Sequence, residues 1–311
     1  MAKTAFLFPG QGSQYAGMGR TLAAEFAVAR AVFDEADDAM GFLLSELCFA
    51  GPDEELKRTE NTQPAILTVS VAAWSVLSGE LGVQADFVAG HSLGEYSALV
   101  AAGALSFSDA VRTVRNRGRY MQEAVPSGLG AMAALLKLPE DKLDAVLAEA
   151  AQGEVVSAAN LNSPDQVVIA GHAGAVNRAA ELAKAAGARK AVILPVSAPF
   201  HCSLMEPAQR RLAADLAGLV FHDLRVPLVN NWQAREVRAG AEARQGLIEQ
   251  VPNPVQWTQA VRHLANAGVD RWIEVGPGAV LAGLLKNILP GQSAMKCGEA
   301  ADVAALTAAS A

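Results

Sequence analysis

Ser92 stands at the centre of Gly90-His91-Ser92-Leu93-Gly94. The apolar run Asp86 to Ala89 reads as a strand leading into it. The Ala- and Leu-rich run through Ala101 reads as a helix leading out, and Gly103 stops that helix. A serine at the apex of strand, sharp turn and helix is the G-x-S-x-G nucleophile elbow, in which the serine backbone is strained and its oxygen exposed. Gly90 and Gly94 carry no Cβ to collide where strand and helix approach. The helix that follows presents N-terminal N–H groups to an oxyanion formed beside the serine. The chemistry this points to is nucleophilic attack by serine, as in any serine hydrolase, and the rest of the chain must say what the serine attacks.

Such a serine needs a base within hydrogen-bond reach. The histidines are His91, His172, His201, His222 and His263. His91 adjoins Ser92, but an elbow turns its side chain elsewhere. His172 falls in a stretch of different rhythm, and His222 and His263 read as structural. His201 follows Ser197-Ala198-Pro199-Phe200, where the stiffening proline precedes a predicted helix over 200–217, so it can face a cleft. A hydrolase triad would place an acid between serine and histidine. Asp109 reads as a helix cap, and Asp141, Asp144 and Asp165 lie in the segment of different rhythm. The triad therefore fits poorly, and a carbonyl group is the alternative partner for the histidine. On the helix predicted from Ser106 to Ala124, Arg112, Arg115 and Arg119 share a face. Arg117 points nearly opposite, inward, where a guanidinium would hold a carboxylate in a bidentate pair.

The elements around these residues read as α/β. Strands are predicted over 4–8, 226–230 and 271–275, with helices over 19–40, 62–81, 241–250, 257–267 and 280–288. Pro126-Ser127-Gly128-Leu129-Gly130 is a boundary. Beyond it, strands over 131–138, 155–160, 166–170 and 190–194 alternate with helices over 139–151 and 173–186, in the β-α-β-β-α-β order of a ferredoxin-like unit. The expected organisation is a hydrolase-like large domain with a parallel sheet, residues 1–128 and 196–311. A small inserted ferredoxin-like subdomain occupies 129–195. The Ala-rich end from Gly298 is expected to be loosely ordered. A net charge of −7 argues against nucleic acid or an acidic membrane as the main partner. The N-terminus meets Pro9-Gly10 too soon for a signal peptide, and no apolar run has membrane length. Three widely spaced cysteines, Cys48, Cys202 and Cys297, suit a reducing cytoplasm and read as small buried hydrophobes.

Seven short motifs then occur in order: Phe8-Pro9-Gly10-Gln11-Gly12-Ser13-Gln14, Thr62-Gln63-Pro64-Ala65, Gly90-His91-Ser92-Leu93-Gly94-Glu95-Tyr96, Arg117-Gly118, Pro195-Val196-Ser197 with His201, Asn253-Pro254-Val255-Gln256-Trp257, and Glu274-Val275-Gly276-Pro277-Gly278. Together they resemble the motif series of malonyl-CoA:acyl carrier protein transacylases, in particular the stand-alone bacterial enzymes of type II fatty acid synthesis. The resemblance implies Ser92 as nucleophile and carrier of a malonyl ester, with His201 as base. It implies that Gln250 orients His201 through its carbonyl, that Arg117 binds the malonate carboxylate with Gln63 in the substrate site, and that the N–H groups of Gln11 and Leu93 form the oxyanion hole. Phe200 stands where members carry phenylalanine or a smaller polar residue, so it bears on the choice between malonyl and bulkier acyl groups. No cofactor or metal is implied, because a thioester donor and a thioester product differ little in energy. The implied partners are malonyl-CoA, CoA and an acidic acyl carrier protein, met by a monomer. Lys184, Arg189, Lys190 and Lys286 are candidates for docking that carrier.

Overall fold

The computed structural model describes residues 3–196 and 198–310 of the chain; Ser197, the last residue of one motif, lies outside them. Two sheets organise the fold. The first has six strands, in the order Ala294–Cys297, Val269–Val275, Lys3–Phe8, Phe87–Gly90, Leu228–Val229 and Glu236–Val237. Its neighbours run parallel except the short last pair. In the Lys3–Phe8 strand, Phe6 and Phe8 join one apolar cluster while Ala5 and Leu7 join another. Alternate side chains leave a strand on opposite faces, so both faces of this sheet are covered, as parallel sheets require.

The second sheet has four antiparallel strands, in the order Val156–Ser163, Gln166–His172, Gly130–Leu136 and Lys190–Ile193. The helices Leu143–Ala151 and Ala173–Ala185 complete the β-α-β-β-α-β succession and enclose a separate apolar cluster. The protein is thus the α/β fold expected, with a parallel sheet and a smaller ferredoxin-like sheet. The two parts are stitched where Val255 N donates to Ala159 O and Leu161 N donates to Val255 O, each at 2.9 Å.

Several boundaries differ from the sequence reading. The helix expected over 19–40 is two, Arg20–Glu25 and Ala27–Met40, because Phe26 is extended at φ −123 and ψ 117. The helix expected to open at Thr62 begins at Thr59 and carries Pro64 within it. The helix expected from residue 200 begins only at Glu206, after a 3₁₀ turn over Ser203–Met205. The C-terminal stretch expected to be loose from Gly298 instead forms a helix, Ala300–Ser310. Alanine has the highest helix propensity. Asp302 Oδ2 accepts the N–H groups of Gly298 and Glu299, each at 3.1 Å, while Val303 and Leu306 are buried. The motif around Glu274 has a structural use: its buried carboxyl accepts the N–H groups of Leu281 and Ala282 at 3.0 and 2.7 Å, anchoring the Val280–Ile288 helix.

Candidate active site

Ser92 sits between the Phe87–Gly90 strand and the Gly94–Ala101 helix at φ 53, a left-handed conformation costly for a residue with a side chain. A Cβ on Gly90 would collide with the main chain of Gly94 and Glu95, and one on Gly94 with the Phe8 carbonyl. Only glycine permits strand and helix to cross this closely. Asn231 clamps the turn. Its Oδ1 accepts from Ser92 N and its Nδ2 donates to Gly90 O, both at 2.6 Å.

His201 Nε2 lies 2.8 Å from Ser92 Oγ, and His201 Nδ1 lies 2.9 Å from the main-chain carbonyl of Gln250. A carbonyl only accepts, so Nδ1 carries the proton and Nε2 is left to accept from the serine hydroxyl. Burial and then the charge of Arg117 lower the His201 pKa to about 3, so the ring is neutral near pH 7. His201 does not start a helix; it stands at φ 59 ahead of the 3₁₀ turn.

Arg117, on the Phe107–Glu123 helix, is 2% exposed. Arg112 and Arg119 on the same helix are exposed and Arg115 is half-buried. Arg117 Nη1 donates to Gln63 Oε1 at 2.7 Å, and Nη2 donates to Ser92 Oγ at 3.0 Å and Gln250 Oε1 at 2.9 Å. Its Nε has no partner among the described residues. Desolvation lowers its pKa, opposed by Tyr96 and Glu95.

Gln11 lines the same cleft, its side chain donating to Thr59 Oγ1 at 3.4 Å. Leu93 is buried directly before the Gly94–Ala101 helix. Among the described residues, the main-chain N–H groups of Gln11 and Leu93 donate to no acceptor. The cleft encloses about 540 Å³ and takes walls from both sheets, Met132 and Asn160 from the smaller one facing Ser92, Arg117, Phe200 and His201. His91 turns to the smaller sheet, with Nε2 2.8 Å from Asn162 Oδ1, and packs edge-on to Trp257. Burial lowers its pKa.

Sequence reasoning missed Asn231, Asn162 and the role of Glu95. Glu95 is wholly buried, and its Oε2 accepts from Asn231 N and Gln250 Nε2, each at 2.9 Å. The quoted Gly-Glu-Tyr tail of the elbow motif contained it, but an acid in a helix first turn reads as a dipole partner. Among the described residues no acid stands beside His201; the Gln250 carbonyl occupies that place.

Comparisons with known proteins show the family of the chain. A family model for the acyl transferase domain matches residues 5–305. The malonyl CoA-acyl carrier protein transacylase of Escherichia coli K12 is 50% identical over 305 residues, covering 98% of this chain and 99% of that protein. An acyl carrier protein S-malonyltransferase from Vibrio cholerae, solved by crystallography, superposes with a TM-score of 0.96 at 46% identity, covering 98% of this chain and 100% of its own. A malonyl-transacylase solved in complex with a type II PKS acyl-carrier protein superposes with a TM-score of 0.95 at 46% identity, covering 97% and 98% of the two chains. The chain belongs to the acyl transferase domain family, among the malonyl CoA-acyl carrier protein transacylases.

Proposed function

We propose that this protein transfers the malonyl group of malonyl-CoA to the phosphopantetheine thiol of an acyl carrier protein, through a malonyl ester on Ser92. The observation that carries the reading is the position of Ser92 Oγ, 2.8 Å from a neutral His201 Nε2 and 3.0 Å from the Arg117 guanidinium. Ser92 Oγ attacks the thioester carbonyl as its proton passes to His201 Nε2. The oxyanion is held by the N–H groups of Gln11 and Leu93, where one donor contributes about 10²–10³-fold in rate. The C–S bond breaks and the CoA thiolate takes the proton from His201. In the second half, the carrier thiol gives its proton to His201 and attacks the ester, and Ser92 leaves, recovering the proton.

Arg117, with Gln63 and Gln250 steering its nitrogens, pairs with the malonyl carboxylate. A buried guanidinium left unpaired costs several kcal/mol, which disfavours acetyl-CoA. Pairing also offsets the charge that depresses His201, so the carboxylate strengthens the base it needs. The Gln250 carbonyl holds the His201 tautomer, as a triad acid does elsewhere. Phe200 bounds the acyl pocket.

In this reading residues 1–128 and 196–311 form the catalytic domain, and 129–195 the subdomain that closes the cleft and excludes water. The product supplies extender units for fatty acid synthesis. We take the protein to act as a monomer in the cytoplasm, where its three free, buried cysteines stay reduced. Among the described residues no helix is long and apolar enough to cross a membrane. Intact-mass measurement after incubation with malonyl-CoA tests the reading: a malonyl adduct on the wild type that is lost in Ser92→Ala supports it, and its absence from the wild type refutes it.

A further inference from the structure

Glu95 is a buried carboxyl that the transfer chemistry above does not use. Arg117, equally buried, has no carboxylate within ion-pair distance among the described residues. The two are joined through one amide. Arg117 Nη2 donates to Gln250 Oε1 at 2.9 Å, and Gln250 Nε2 donates to Glu95 Oε2 at 2.9 Å and to Ser92 O at 3.0 Å. A guanidinium only donates, so the amide oxygen must face Arg117 and its NH₂ must face Glu95. The Gln250 dipole is thereby aligned between a cation and an acid. The other Glu95 oxygen, Oε1, is buried without a partner among the described residues, so no second donor among them neutralises it.

We propose that Glu95 is the internal counter-charge of Arg117, a positioning residue that acts through the Gln250 amide and sets how tightly the site holds a carboxylate-bearing acyl group. This rests on the reading of Arg117 as the malonyl carboxylate's partner. An ionised Glu95 competes electrostatically with malonyl for Arg117; a neutral one does not.

The charged and titratable groups around it separate cleanly. Burial raises the Glu95 pKa to about 7, opposed by the Asn231 N–H, the Gln250 amide and Arg117. Burial raises Tyr96, its neighbour on the same helix, and lowers His91 and His201 across the cleft. Around neutral pH Tyr96 stays protonated, both histidines stay neutral, and Glu95 is the group that changes charge. Malonyl binding to Arg117 removes the attraction that favours the Glu95 anion, so Glu95 takes up a proton.

Single-turnover acylation of Glu95→Gln and wild type, from about pH 6 to about pH 8, tests this. At the upper end the variant should half-saturate at roughly tenfold lower malonyl-CoA than wild type, a charge effect at an effective dielectric of about 20. The gap should close toward the lower end, where Glu95 itself is neutral, and acetyl-CoA should show no gap at any pH. Equal or weaker malonyl-CoA saturation in the folded variant overturns the inference. If the variant does not fold, proton uptake by wild type on malonylation near pH 7 decides: a fractional uptake absent with acetyl-CoA supports the counter-charge, and none refutes it. A wild type that forms no malonyl-Ser92 would instead sink the transfer reading itself.

Discussion

Ser92 and His201 share a 2.8 Å Oγ–Nε2 hydrogen bond, and both hold left-handed main chains, at φ 53 and φ 59. Each such conformation costs about 1–3 kcal/mol. The surroundings over-determine both: Asn231 grips the serine turn, and the Gln250 carbonyl holds the imidazole. The consequence is a hydroxyl held between a base, His201 Nε2, and the Arg117 guanidinium.

The strain at Ser92 separates from its chemistry. Neither Ser92→Gly nor Ser92→Ala can carry an acyl group, but glycine tolerates φ 53 and alanine does not. Chemical denaturation should show Ser92→Gly more stable than Ser92→Ala by about 1 kcal/mol. Equal stabilities would mean the turn is not strained.

Arg117 should set selectivity rather than general reactivity. Arg117→Ala removes the carboxylate's partner, a loss of about 3–5 kcal/mol, or roughly two to three and a half decades at about 1.4 kcal/mol per decade. Acylation by malonyl-CoA should fall by that factor while acetyl-CoA gains relative to it. A variant that kept its preference for malonyl would remove the carboxylate clamp from the account. Arg117→Lys keeps the charge without the fork that reaches both Gln63 and Gln250, so it should fall between the two.

Asn231 should matter although it makes no contact with substrate in this mechanism. Asn231→Ala leaves the part-buried N–H of Ser92 and the buried carbonyl of Gly90 without these partners, at about 1–3 kcal/mol for a fully buried group and less for the N–H. The unfolding midpoint should drop, and acylation should slow as the serine turn relaxes. A variant with wild-type stability and rate would show that the glycines alone hold the turn.

The acid limb of the rate profile should lie low. A base works above its pKa, and burial with Arg117 depresses His201 to about 3 from the ordinary 6.5. The kcat/KM profile should therefore show no decline as pH falls past 6.5, the falling limb being displaced toward the acid side. In Arg117→Ala the second of those depressing causes is gone, so the limb should move up in pH. A limb at the ordinary histidine value in wild type would contradict the burial argument.

The elbow was legible because its signals are local: an apolar strand, two glycines and a helical run within a few residues of Ser92. Arg117 was legible from helical spacing, since the structure buries it and exposes Arg112 and Arg119. The ferredoxin-like succession was legible from element order. Asn231 was not. It reaches Ser92 only because the Leu228–Val229 strand pairs in parallel with Phe87–Gly90, and nothing near residue 231 announces that. The left-handed turn at His201 was also hidden, because Phe200-His201-Cys202 carries no glycine to mark a positive φ. The C-terminal helix was misread because an alanine-rich end resembles a tail until Val303 and Leu306 find a surface to bury against.

The most direct measurement is the mass of the intact protein, taken after malonyl-CoA and again after adding phosphopantetheinylated acyl carrier protein. The account expects one malonyl group on the wild type, none on Ser92→Ala, and transfer of that group to the carrier within the second incubation. A wild type that stays unmodified, an adduct that persists in Ser92→Ala, or an ester lost to water with no malonyl on the carrier would contradict it.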